Sequence, residues 1–209
     1  MKSLIVSAVL GLGAAQMASA ATIVNGSFED PDVTGAFATF VSGSTAITGW
    51  TVGSGSVDVV DTLWIAQEGS QAVDLDGSAV GSIFQTITDL IVGTSYTISF
   101  YMSGNPDGPP PVKSMDVSVG ANTAGYTFDM SGGNAETGVW ELNTFTFTAA
   151  ATSEVLTFAS TTGGSAYGAA VDDVSIAPSI APVPLPAGGL MLVGGLVGLA
   201  ALRRRRQQG

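Results

Sequence analysis

The chain has 209 residues, with seventeen acidic side chains, six basic ones, no cysteine and no histidine, for a formal charge of −11. Without cysteine the fold uses neither disulfides nor thiolate metal sites, and without histidine it lacks the general base of a Ser-His-Asp hydrolase and the usual ligand of a zinc enzyme. Five basic residues stand at the two ends, Lys2 and Arg203 to Arg206, so the segment between keeps only Lys113 against all seventeen acids, a formal charge of −16 that excludes nucleic acid as a partner.

In chain order, Met1-Lys2 supplies one positive side chain, Leu4 to Ala15 is apolar, and Ala18-Ser19-Ala20 places small residues where a signal peptidase cuts. Residues 1–20 read as a secretory signal, and the mature domain runs over 21–182. That length suits one domain with a core. It is rich in Gly, Thr, Ser and Val and shows no helical period. Short alternating runs recur instead, separated by turn residues, which reads as an all-β sandwich. In Tyr96 to Met102, the side chains of Tyr96, Ile98, Phe100 and Met102 share one face, and Thr97, Ser99 and Tyr101 the other. Met115 to Val119 and Phe145 to Phe147 repeat the pattern. Further strands are expected at 22–24, 49–52, 57–60, 71–75, 82–88, 125–129, 155–159 and 171–176. The four prolines of Gly104 to Pro111 exclude a central strand there and predict an exposed rim loop.

The chain closes on Val183-Pro184-Leu185-Pro186-Ala187, a charge-free run from Ala187 to Leu202, and the four arginines 203–206. At about 1.5 Å per residue the run covers roughly 24 Å, a short membrane helix. The arginines resist crossing, so everything before Pro184 is placed outside the cytoplasm. Residues 183–209 resemble the VPLPA-CTERM variety of PEP-CTERM sorting signals. That resemblance implies recognition by an exosortase-type membrane protease, cleavage near 183–187, and transfer from an inner-membrane precursor to the cell surface. A plain C-terminal anchor is the alternative.

Three constellations could carry chemistry. Glu29 near the start and Asp172-Asp173 near the finish meet if the first and last strands are neighbours, and carboxylates that close need a cation between them. Ca²⁺ fits, since it takes oxygen ligands and does without histidine. Solvated acids after an Asn-Gly turn are the plain alternative. Asp74 and Asp76, two apart on a strand, share a face and make either a second cation site or a solvated face ending in an Asp-Gly turn. Among the aromatics, Trp50 reads as core. Tyr101, Asn105 and Asp107, with Trp64 if the loops converge, make a saccharide patch, because sugar C–H faces stack on aromatic rings while Asn and Asp take hydroxyls.

The order NGSFED (25–30), ITGW (47–50), GSVDVV (55–60), EGSQAVDLDG (68–77), FQTI (84–87), GTSYTISF (93–100), SGNPDGP (103–109) and AAVDDVSI (169–176) resembles the choice-of-anchor C family. That family is similar to the galactose-binding-like jelly rolls, which include many carbohydrate-binding modules. The resemblance implies a structural calcium on Glu29 and Asp172, with Asp173 beside them. Two function classes follow. One is a non-catalytic surface β-sandwich that binds or organises extracellular polysaccharide. The other is a glycosidase working through two carboxylates, with a purely structural or adhesive matrix protein as a third reading.

Overall fold

The computed structural model describes residues 20–164 and 166–179. The secretory signal, but for its last residue, and the whole of the expected sorting tail with its helix 187–202 lie outside the described residues. Among the described residues no helix is long and apolar enough to cross a membrane.

Among the described residues, eleven strands form two antiparallel sheets packed face to face, the expected all-β jelly-roll sandwich. They are β1 (Phe37–Val41), β2 (Thr51–Ser54), β3 (Ser56–Val60), β4 (Ala72–Asp74), β5 (Ser82–Ile87), β6 (Ser95–Gly104), β7 (Val112–Val119), β8 (Asn122–Asp129), β9 (Glu141–Thr148), β10 (Glu154–Ser160) and β11 (Ala169–Pro178). The six-stranded sheet has the order β1-β3-β4-β11-β6-β9 and the five-stranded sheet β2-β5-β10-β7-β8. The last strand thus lies in the middle of its sheet, between β4 and β6.

Alternation explains the layering. Tyr96, Ile98, Phe100 and Met102 of β6 all turn inward, as do Met115, Val117 and Val119 of β7 and Phe145 and Phe147 of β9. A file of rings runs through the centre: Phe28 to Trp50 at 5.4 Å, Trp50 to Phe158 at 6.1 Å, and Phe158 edge-on to Phe100 at 5.2 Å. Trp50 is core, as its place in the sequence implied, and its Nε1 donates to Asn25 O at 3.0 Å so that the indole is buried without an orphaned N–H.

Two strand expectations change. Residues 22–24 form no strand; the Gln85 side chain accepts from Val24 N at 2.7 Å and donates to Val24 O at 2.9 Å, holding one residue's backbone as a neighbouring strand would. Conversely, β1 is a strand the sequence does not announce. It is an edge strand whose Ala38 and Phe40 reach the core while Phe37 and Val41 stay exposed, so apolar residues stand on both faces and the alternation vanishes. The proline-rich segment is the loop expected of it, joining β6 to β7.

Candidate functional site

The outward face of the six-stranded sheet carries the site. On β3, Val57 and Val59 enter the core, which turns Asp58 and Val60 outward; on β4, Val73 enters and Ala72 and Asp74 turn outward. Register aligns them in cross-strand rows: Phe37, Val60 and Ala72 in one, Thr39, Asp58 and Asp74 in the next. A second, small apolar layer of Val60, Trp64, Ala72, Ala135 and Ala170, with Trp140 against it, lies outside the sheet. Trp140 Nε1 donates to Ile65 O at 2.8 Å, tying the loop before β9 to the loop after β3.

Leu63 and Trp64, Asn105 and Asp107, and Ala166 and Tyr167, from three loops, surround the Asp58–Asp74 row and leave a pocket of about 250 Å³. Phe37, Trp64 and Tyr167 give it aromatic walls, and Asp58, Asp74, Asn105 and Asp107 give it polar groups. Phe37 is half exposed, whereas Trp64 is only 8 % exposed and forms a wall rather than an open platform.

Beneath the opening is a buried polar network. Asp74 Oδ1 accepts from Asp76 N at 2.9 Å and Gly168 N at 3.0 Å, and its Oδ2 accepts from Asn105 Nδ2 at 2.7 Å. Burial nevertheless pushes the Asp74 carboxyl up to about 8, helped by the charges of Asp76 and Asp58 and opposed by those hydrogen bonds. Asn105 Oδ1 accepts from Asp107 N at 2.9 Å, so one carboxamide links the buried acid to the rim. A Cβ on Gly168 would stand 2.6 Å from Asp74 Oδ1, which is why the 161–168 loop passes here as glycine. Asp58 accepts from Thr39 Oγ1 at 2.6 Å, and partial burial raises its pKa. Lys113 is fully buried with its Nζ on Gly108 O at 2.8 Å and Tyr167 O at 2.7 Å; it fastens two of the pocket's loops to each other. Burial lowers its pKa, and Asp74 and Asp76 pull it back.

Three of the four residues expected in a saccharide patch, Trp64, Asn105 and Asp107, therefore line one pocket. Tyr101 does not. It faces outward from β6, but register sets it between Asp172 on β11 and Leu142 on β9, beyond the pocket lining. Phe37, Asp58 and Tyr167 take places the sequence did not assign. Asp74 and Asp76 are not a solvated face, for both are fully buried, and Asp76 Oδ2 has no hydrogen-bond partner. They do share a side, because Leu75 between them enters the core and both carboxyl groups stand against Gly168.

Glu29 and Asp172 meet the same loop from two sides. Glu29 Oε1 accepts from Ser70 N at 2.9 Å and Gln71 N at 2.8 Å, and Oε2 from Ser70 Oγ at 2.8 Å. Asp172 Oδ2 accepts from Gln67 N at 2.8 Å and Glu68 N at 3.0 Å, and Oδ1 from Asp173 N at 2.7 Å. Asp172 is fully buried, and burial pushes its carboxyl up to about 7 against those three amide bonds. Asp173 stands at φ 47° where β11 breaks register between Asp172 and Ser175. Among the described residues no group of three or more acidic side chains is arranged to hold a metal ion.

A family model described as "Protein of unknown function (DUF642)" matches residues 21–177. Halomucin of Haloquadratum walsbyi (strain DSM 16790 / HBSQ001) is 36% identical over 211 residues, an alignment covering 94% of this chain and 2% of halomucin. The chain thus spans a small fraction of that relative's length. Among solved structures, the CBM22-1 xylan-binding domain of Paenibacillus barcinonensis Xyn10C is 19% identical with a TM-score of 0.47, over 69% of this chain and 94% of that one. A family 35 carbohydrate binding module from Clostridium thermocellum is 16% identical with a TM-score of 0.45, over 68% of this chain and 99% of that one.

Proposed function

We propose that this chain, which belongs to the DUF642 family, is an exported, non-catalytic β-sandwich that binds a saccharide of an extracellular polysaccharide in the pocket above its six-stranded sheet. The observation that carries this reading is the pocket itself: a cavity of about 250 Å³ that combines aromatic walls with the carboxylates and carboxamide of Asp58, Asp107 and Asn105. Rings cover the C–H faces of a sugar, and the side-chain oxygens and amide take its hydroxyls. Export rests on the secretory signal at 1–20 and the VPLPA-CTERM-like tail at 183–209. With them, the choice-of-anchor C resemblance makes the cell surface or matrix the destination and an exosortase-type protease a processing partner.

A glycosidase reading has one observation in its favour, the raised pKa of Asp74, which is what a general acid needs. Against it, both Asp74 oxygens are already engaged by Asn105, Asp76 and Gly168, and the residue has no exposed surface, so no proton is presented to a leaving group. Asp74 holds loops together. Calcium remains part of the proposal. Support comes from Glu29 and Asp172 gripping one loop, and from the burial of Asp172 with too little counter-charge to keep its pKa at the ordinary carboxylate value. Since the loop turns N–H groups toward both acids, a calcium there would draw its other ligands from backbone carbonyls and water.

A glycan array with wild type, Asp107→Ala and Tyr101→Ala tests the reading. Binding by wild type and Tyr101→Ala with loss in Asp107→Ala is expected. Binding unaffected by Asp107→Ala removes the pocket, and reducing sugar released by wild type but not by Asp74→Asn reverses the non-catalytic assignment.

A further inference from the structure

The saccharide reading leaves open which chemistry the pocket prefers, and its charges decide that. Two carboxyl groups open to it, Asp58 and Asp107, with Asp74 buried beneath them, and among the described residues no basic side chain lines it. The nearest candidate, Lys113, has no exposed surface and spends its ammonium on the carbonyls of Gly108 and Tyr167. Lys113 is also the only basic residue between Lys2 and Arg203, so nothing else on the mature domain can answer an anionic sugar.

We infer that the pocket selects a sugar bearing a protonated amine over its neutral N-acylated counterpart and rejects uronic acids, an inference that rests on the saccharide reading. Asp58 is the residue that would make the distinction. It is partly buried, faces the cavity, and has one hydrogen bond, from Thr39 Oγ1, on one of its two oxygens. The second oxygen is free for a charge-assisted bond, which is roughly twice as strong as a neutral one. Burial that raises the Asp58 pKa also marks a carboxylate short of counter-charge, which an ammonium supplies. Phe37 and Tyr167 stand in the same lining, and aromatic rings there suit a cation or the sugar's C–H face. A uronate entering the cavity meets Asp58 and Asp107 and no cation among the described residues, and the −16 charge of the mature domain opposes its approach from a distance.

The test is titration calorimetry at neutral pH with three short probes: a fully deacetylated glucosamine oligomer, its N-acetylated counterpart, and a galacturonic acid oligomer. Each is titrated into the full mature domain as wild type, Asp58→Asn and Asp89→Asn. Asn at 58 keeps an acceptor for Thr39, and matching melting curves establish that the variant is folded. Asp89 is an exposed acid outside the pocket lining whose loss removes the same unit of charge. The expected result is about tenfold tighter binding of the amine probe than the acylated one, a ratio abolished by Asp58→Asn, kept by Asp89→Asn, and no binding of the acidic probe. Equal affinity for the first two probes in wild type overturns the selectivity while leaving the saccharide site standing. An equal loss in Asp58→Asn and Asp89→Asn reduces it to diffuse attraction and overturns it as well. Failure of every probe, together with a blank glycan array, brings down the saccharide reading itself.

Discussion

Asp74 and Asp172 stand on paired strands, both face outward from the same sheet, both are fully buried, and each accepts two or three backbone amides. They differ in what covers them. Over Asp172 the segment 67–71 closes tightly, with Glu29 fastening its other end, and no lining residue of the pocket comes from that cluster. Over Asp74 the loops are tied by Asn105 and Lys113 but leave a space, and that space is the pocket. The same device, a carboxylate feeding on loop amides, thus seals one patch of the sheet and leaves the neighbouring one open.

Breaking the sealed patch costs most. Asp172→Ala leaves three amides without their acceptor and lowers unfolding free energy by about 3 kcal/mol, read from urea melts, while the fraction that stays folded keeps its sugar affinity. A pH series sharpens the comparison next. Both carboxyls have folded pKa values above the ordinary 3.8, at about 8 for Asp74 and about 7 for Asp172. The native state therefore holds more protons than the unfolded chain between those limits, so stability is greatest at the acid end and is lost as pH rises through 7 and 8. With calcium removed by EDTA, melting temperature is expected to drop by about 5 °C or more from pH 5 to pH 9, with the change removed in part by Asp74→Asn. Lys113→Met comes third. It releases the carbonyls of Gly108 and Tyr167, lowering stability by about 1 kcal/mol and sugar affinity by about tenfold, although Lys113 lines no part of the cavity. EDTA is expected to lower the melting temperature by a few degrees and millimolar Ca²⁺ to restore it; Glu29→Gln should weaken that response and leave sugar binding intact. Smallest is Tyr101→Ala, a change outside the pocket expected to alter affinity by less than about twofold.

Much of the sandwich is legible because burial imposes a period of two. Wherever one face of a strand is core and the other polar, as in β6 and β7, the residues declare their direction. β1 escapes because Phe37 and Val41 are apolar and exposed. The same rule explains the partial success at the site. Alternation says that Tyr101 faces outward but not which column of the sheet it occupies, and only the register of β11 between β4 and β6 sets it apart from Asp58 and Asp74. Asn105 and Asp107 were readable from turn chemistry. Tyr167 was not, because it sits in a Gly- and Ser-rich segment with no period, and its place depends on Lys113, more than fifty positions away. The grip of Glu29 and Asp172 on residues 67–71 uses backbone amides, which every residue but proline has, so the partner loop leaves no mark in the sequence.

The central place of β11 also governs when this protein can become itself. Residues 72–74 and 95–104 flank a gap that only 169–178 can fill, and the same insertion delivers Asp172 to its loop and brings Val174 N to Gly26 O. A nascent chain released short of that point has two half-sheets with open edges and no way to join them, so the sheet closes only once residues 169–178 have been made.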